Sequence, residues 1–111
     1  MENIVIVECI LTGSAKSHRG TFNMARSDDL VAHCIDALLT RNPPLDPSQV
    51  DDLILGCGPQ IGEQSGNIAH HAVALSQLPI TVPAATISLV CSSGLNSIAI
   101  AGTQAANLQA N

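Results

Sequence analysis

The sequence predicts an α/β fold in which a strand and a helix alternate three times on a mostly parallel sheet. Ile4–Val7, Leu53–Leu55 and Thr86–Val90 are short apolar runs, the mark of strands buried on both faces. Each is followed by a stretch whose apolar residues recur at helical spacing. Phe22 is the single aromatic residue, so the core has to be Leu, Ile, Val and Ala, which suits helices packed on a sheet. Such alternation implies parallel strands joined by right-handed crossovers.

Ile4-Val5-Ile6-Val7 is the first strand of this scheme. Thr12 to Arg26 follows as a surface loop that carries most of the positive charge. It lacks the G-x-x-x-x-G-K-[ST] pattern of a phosphate loop. Ser27 is placed to cap the first helix, with Asp28 and Asp29 in its first turn, where carboxylates suit the helix dipole. Leu30, Val31, Cys34, Ile35, Leu38 and Leu39 then form one apolar stripe, which Asn42-Pro43-Pro44 ends. His33 lies off that stripe, as a solvated or hydrogen-bonded histidine does.

Asp46-Pro47 starts a short helical turn, with Asp as cap and Pro at the first helical position. Asp51 and Asp52 form a solvated acidic edge before the second strand, which Gly56-Cys57-Gly58-Pro59 ends. Gly62 to Asn67 reads as a flexible polar loop, and Ile68 to Leu75 as a short helix. His70 and His71 are adjacent, so they point to different sides of that helix and do not form the one-face i, i+4 pair of a helical zinc site. After the third strand, Leu95, Ile98, Ala99, Gly102, Ala105, Ala106 and Leu108 give a helix rich in small residues, expected to be central and buried. Gly102 costs a solvated helix about 1 kcal/mol relative to Ala, so close approach by another element is expected there. Three parallel strands with both faces to cover leave open edges, so the pattern reads as part of a larger α/β protein.

Composition excludes several classes. The 111 residues carry a net charge of −5. Lys16, Arg19, Arg26 and Arg41, the only Lys and Arg residues, form no run or stripe. Nucleic-acid binding needs clustered cations and is disfavoured. No apolar run approaches the roughly 18 residues of a membrane span, and Met1-Glu2-Asn3 resembles neither a signal nor a transit peptide. A cytoplasmic protein is therefore expected. Cys9, Cys34, Cys57 and Cys91 are unevenly spaced without C-x-x-C, which argues against a disulfide framework and a zinc site. No metal is expected, and Cys9, Cys34 and Cys57 read as small buried apolar residues on a strand, a helix and a strand end.

Cys91 is different. An apolar strand runs into it, and Ser92-Ser93-Gly94-Leu95 opens the last helix behind it. A chain presents a nucleophile in this way, on a sharp strand-to-helix turn. A helix N-terminus offers unpaired N–H groups and a partial positive charge, which favour the reactive thiolate. From spacing alone, a buried cysteine at a helix start and an acyl-accepting nucleophile are about evenly matched.

With these residues in hand, the chain resembles the N-terminal part of a thiolase, over essentially its whole length. The resemblance rests on Ile4 to Val7, Gly20-Thr21-Phe22, Asp29 to His33 and the run from Leu45-Asp46 to Gly56. It rests further on Glu63-Gln64-Ser65-Gly66-Asn67-Ile68-Ala69, which is similar to an E-Q-x-x-N-x-A segment, and on Val82 to Ile87 leading to Cys91-Ser92-Ser93-Gly94-Leu95. The chain departs from the family pattern at Leu11-Thr12-Gly13, where Arg-Thr-Pro is common. It departs also at Ser88-Leu89, where Asn and a basic residue are common, and at His70, where a basic residue is common. Ketoacyl synthases share the fold and a cysteine on the same elbow, but Gln64 to Ala69 and the setting of Leu95 favour a thiolase.

The resemblance implies a thiolase-like, incomplete N-terminal half-fold over residues 1–111. It implies that Cys91 accepts an acyl group from a 3-ketoacyl-CoA, or from acetyl-CoA in the condensing direction. Coenzyme A is then a co-substrate, with no tightly bound cofactor. The family's activating histidine, second cysteine and asparagine–water pair come from C-terminal segments, and His18, His33, His70 and His71 sit in no matching motif. The isolated chain is therefore expected to be inactive, and the complete protein to be a homodimer or homotetramer. The alternatives are a non-catalytic, thiolase-like fragment that docks to thiolase subunits through its third strand, and a fragment of a ketoacyl-synthase-like condensing enzyme.

Overall fold

The computed structural model describes residues 3–108. Its elements are α1 (Ser27–Arg41), β1 (Leu53–Gly56), α2 (Ile68–Leu75), β2 (Ala84–Ile87) and α3 (Ser93–Leu108). Short 3-10 turns lie at Pro47–Gln49, Gly62–Gln64 and Val90–Ser92.

β1 and β2 form a parallel two-stranded sheet in which Leu53 pairs with Ala84 and Gly56 with Ile87. The helix between them makes this a β-α-β unit, as the alternation predicts. α3 lies against β1, α2 against both strands, and α1 against α2. The core joins Ile35 of α1, Ala72 and Val73 of α2, and Leu78 and Val82 of the connector to β2. Ala69, Ala72 and Val73 have no exposed surface, so α2 is the helix around which this part of the molecule packs.

The threefold strand–helix repeat is not what forms. Residues 3–16 contain no helix or strand, and Val5, Ile6 and Val7 are 77–80% exposed. An apolar run becomes a strand only where a neighbouring edge pairs its backbone and layers cover both its faces. β1 has its ladder with β2, and the segment is held instead by side chains. Ile4 Cδ1 lies 2.8 Å from where a Cβ on Gly102 would stand, which is the close approach expected of that glycine. Glu8 lies 3.8 Å from Arg41 of α1.

Other boundaries moved less. β2 begins at Ala84 and ends at Ile87, short of the expected end at Val90, because the chain turns there. α1 begins at Ser27, with Arg26 rather than Ser27 in the cap position. The Asp46-Pro47 turn forms as read, with the Asp46 carboxylate accepting the Ser48 N–H at 2.9 Å. α3 is not buried all round, since Leu95 and Ile98 are 75% and 61% exposed. Cys9 lies exposed outside any strand, whereas Cys34 and Cys57 are half-buried. No helix of the described residues is long and apolar enough to cross a membrane.

Candidate active site

Parallel strands end at the same edge, and in open α/β sheets that carboxyl edge is where ligands bind. Here β1 runs out into Cys57-Gly58 and β2 into Ser88-Leu89. The Cys57 N–H donates to the Ile87 carbonyl at 2.9 Å, so the two exits stay side by side. Val90–Ser92 forms a 3-10 turn at this edge and passes directly into α3. Cys91 sits in the middle of that turn, exposed, on the strand-to-helix turn that the sequence predicts for it.

Two glycines let the turn settle on β1. A Cβ on Gly56 would collide with the backbone of Ser93, and a Cβ on Gly58 would stand 3.1 Å from the Val90 carbonyl oxygen. In the sequence alone, both have the look of strand terminators and nothing more. Two serines then lace the turn. Ser93, nearly fully buried, accepts the Leu89 N–H at 2.9 Å and donates to the Val90 carbonyl at 2.7 Å. Ser88 accepts the Val90 N–H at 3.3 Å and donates to the Gly58 carbonyl at 3.1 Å. The Ser92 N–H donates to the Leu89 carbonyl at 3.0 Å.

The segment from Glu63 to Asn67, expected to be a flexible loop, is the hub that ties this edge together. Glu63 Oε1 accepts both the backbone N–H and the hydroxyl of Ser27, at 2.8 and 2.7 Å. It therefore satisfies the start of α1 from a distant part of the chain, the role sequence reasoning gave to the Ser27 side chain. Those two hydrogen bonds hold the Glu63 carboxyl below the usual carboxylate range, against a smaller opposing effect of burial. Gln64 donates to the Ser27 hydroxyl at 2.9 Å, and its carbonyl lies 3.3 Å from the Cys57 thiol. Asn67 adopts the left-handed conformation (φ 63°) just before α2. It donates to the Ala84 carbonyl at 3.0 Å and accepts the Thr86 hydroxyl at 2.7 Å. The Thr86 oxygen in turn accepts the Ala69 N–H at 3.0 Å.

At the start of α1, Arg26 grips Asp28 through Nε and Nη2, at 3.1 and 3.0 Å. These bonds keep the buried Asp28 carboxyl below its ordinary range, although desolvation works the other way. A paired carboxylate of this kind is a structural group rather than a proton carrier.

His18, His33, His70 and His71 are all exposed, and among the described residues none is hydrogen-bonded to Cys91. Among the described residues, the sulfur within hydrogen-bond reach of another side chain is that of Cys57, at the end of β1. Cys91 is thus an accessible thiol on a braced turn, a geometry that suits nucleophilic attack on a carbonyl carbon reached from solvent.

The chain has clear relatives among known proteins. Residues 4–111 match the family model described as "Thiolase, N-terminal domain". Over 98 residues, 88% of this chain, it is 42% identical to the 3-ketoacyl-CoA thiolase of Serratia proteamaculans (strain 568). The figures are the same for that of Aliivibrio salmonicida (strain LFI1238), and the identity is 41% for that of Photobacterium profundum. In each case the match covers 25% of the relative, so the chain spans about a quarter of the length of the relatives it matches. With the β-α-β unit, the exposed cysteine on its carboxyl edge and the match of nearly every residue to the model of the thiolase N-terminal domain, the chain belongs to the thiolase family.

Proposed function

We propose that this chain is the N-terminal portion of a CoA-dependent acyltransferase and that Cys91 is its nucleophile. The observation that carries this reading is the place of Cys91, exposed on the turn between β2 and α3 at the carboxyl edge of the sheet. The names of the relatives, each a 3-ketoacyl-CoA thiolase, supply the substrate class.

In the thiolytic direction, the Cys91 thiolate attacks the ketone carbon of a 3-ketoacyl-CoA. The bond between that carbon and the adjacent methylene breaks, and the electron pair leaves on acetyl-CoA as its enolate, which takes up a proton. The shortened acyl group stays on Cys91 as a thioester. The thiolate of a second coenzyme A then attacks that thioester, releases the shortened acyl-CoA and returns the Cys91 thiolate. A thiolate serves both halves, first as nucleophile and then as leaving group. In this reading the Cys91 backbone N–H, in the turn that leads into α3, helps hold the oxyanion formed on attack.

The proton donor for the enolate and the base for Cys91 come, in this reading, from segments beyond the quarter of the relatives that this chain matches. The 111 residues alone are accordingly proposed to have no turnover. The test is a chimaera in which this chain replaces the matching quarter of the Serratia relative. Thiolysis of acetoacetyl-CoA that disappears in Cys91→Ala supports the reading, and thiolysis that persists in Cys91→Ala contradicts it.

A second reading is favoured by the apolar residues exposed around the turn and on α3, among them Leu89, Leu95 and Ile98. It makes the chain a non-catalytic fragment that docks to thiolase subunits. Co-purification with an intact relative, without any effect of Cys91→Ala, would select it.

A further inference from the structure

We propose that Ser93 and Ser88 are positioning residues for Cys91, because together they hold Val90, the residue before it, in a left-handed conformation that valine does not keep unaided. The proposal rests on the reading of Cys91 as the nucleophile.

Val90 has a φ of 50°. For a β-branched residue this is an outlier, and such residues persist only where their surroundings over-determine them. Packing does not do this, since Val90 is 73% exposed. Hydrogen bonds do. The Val90 N–H is taken by Ser88 Oγ at 3.3 Å, and the Val90 carbonyl receives the Ser93 hydroxyl at 2.7 Å in addition to the Ser93 backbone N–H. Both peptide groups that flank the strained residue are therefore fixed. Each serine is anchored in turn, Ser88 on the Gly58 carbonyl of the neighbouring strand exit and Ser93 on the Leu89 N–H. The Val90 carbonyl belongs to the same peptide unit as the Cys91 amide. Fixing it fixes the plane from which Cys91 departs, and with it where the thiol points relative to the start of α3. Without the hydroxyls, Val90 relaxes to negative φ and Cys91 swings out of its place.

The test uses the full 111-residue chain, limiting iodoacetamide at fixed pH, and peptide mapping of the label. Its readout is the ratio of labelling at Cys91 to labelling at Cys9, which is exposed and lies outside every helix and strand. The parent is expected to favour Cys91. Ser93→Ala and Ser88→Ala are each expected to lower the ratio about fivefold, the effect of one neutral hydrogen bond on the population of the held turn. Ser88→Thr keeps the hydroxyl and should restore the parent ratio. Asn tolerates the left-handed region, so in a Val90→Asn background the loss caused by Ser88→Ala should shrink. Ser88 is exposed, so Ser88→Ala decides the matter even where Ser93→Ala loosens the whole fold, which increased labelling of half-buried Cys34 would report. A parent preference for Cys91 that Ser88→Ala leaves unchanged, or that Ser88→Thr loses as fully as Ser88→Ala, overturns the clamp alone. A parent that labels Cys91 and Cys9 equally also overturns the clamp, whereas the nucleophile reading falls only if thiolysis by the chimaera persists in Cys91→Ala.

Discussion

Gly56, the last residue of β1, lies directly against the backbone carbonyl of Ser93, the first residue of α3, so that no Cβ fits between them. Strand and helix meet at this point, and the turn that carries Cys91 is folded over the contact. Substituting Gly56→Ala should force the two backbones apart. The expected cost is about 2–3 kcal/mol, at the upper end for overpacking, because the obstacle is main chain rather than a mobile side chain. Urea denaturation would show it as a lower midpoint with an unchanged slope.

Asn67 offers a separation of backbone from side-chain effects. Its left-handed φ is one that Ala adopts only with strain, and its amide bridges the Ala84 carbonyl and the Thr86 hydroxyl. Asn67→Ala loses both and should destabilise by about 2–4 kcal/mol. Asn67→Gly keeps the conformation but loses the bridge, and should cost roughly 1–2 kcal/mol. Equal losses in the two variants, measured by urea denaturation, would show that the left-handed backbone carries no strain.

Acid should weaken the joint between α1 and the Glu63 segment. The Glu63 carboxyl is held below its ordinary range by the hydroxyl and N–H of Ser27, and that of Asp28 by Arg26. A group whose value is depressed on folding contributes stability that is fully present above its unfolded value, about 4.3 for Glu. That contribution is lost as the pH falls through the lower folded value. Thermal midpoints should therefore drop on acidification below that range, and Glu63→Gln should flatten part of the drop while lowering the midpoint at neutral pH. A Glu63→Gln profile parallel to the parent's throughout the acid range would contradict the assignment.

The isolated chain should show no release of acetyl-CoA from acetoacetyl-CoA and coenzyme A, in an assay that follows loss of the substrate's enolate absorbance. Measurable turnover by the 111 residues would mean that the base and the acid are supplied from within them, and would redirect attention to the exposed His70 and His71.

The sequence was most legible where a pattern depends on neighbours in the chain. The stripe of α1, the Asp46-Pro47 turn, the β1 run and the strand-to-helix turn at Cys91 all follow from local spacing. It was least legible where distant residues decide. Ile4 to Val7 has a strand's composition, but its partner edge is not a local property. Glu63 caps a helix that begins 36 positions earlier, and no rule of periodicity reaches that far. The two glycines beside the turn looked like punctuation because their meaning lies in Ser93 and Val90, at the other strand exit. The left-handed Val90 gave no signal at all, since valine is among the residues least expected there. The E-Q-x-x-N-x-A spacing did mark the hub as a unit, although its role emerged only from the hydrogen bonds of Glu63, Gln64 and Asn67.

The most direct test of the central claim is to find the acyl group. The chimaera of this chain with the remainder of the Serratia relative would be mixed with acetyl-CoA, quenched in acid and mapped by mass spectrometry for thioester-linked acetyl. The expected result is one acetyl group on Cys91, removed by added coenzyme A and absent from Cys91→Ser. Acetyl on Cys9 or Cys57 instead of Cys91, or an acetyl-enzyme that survives in Cys91→Ser, would contradict the assignment of Cys91 as the nucleophile.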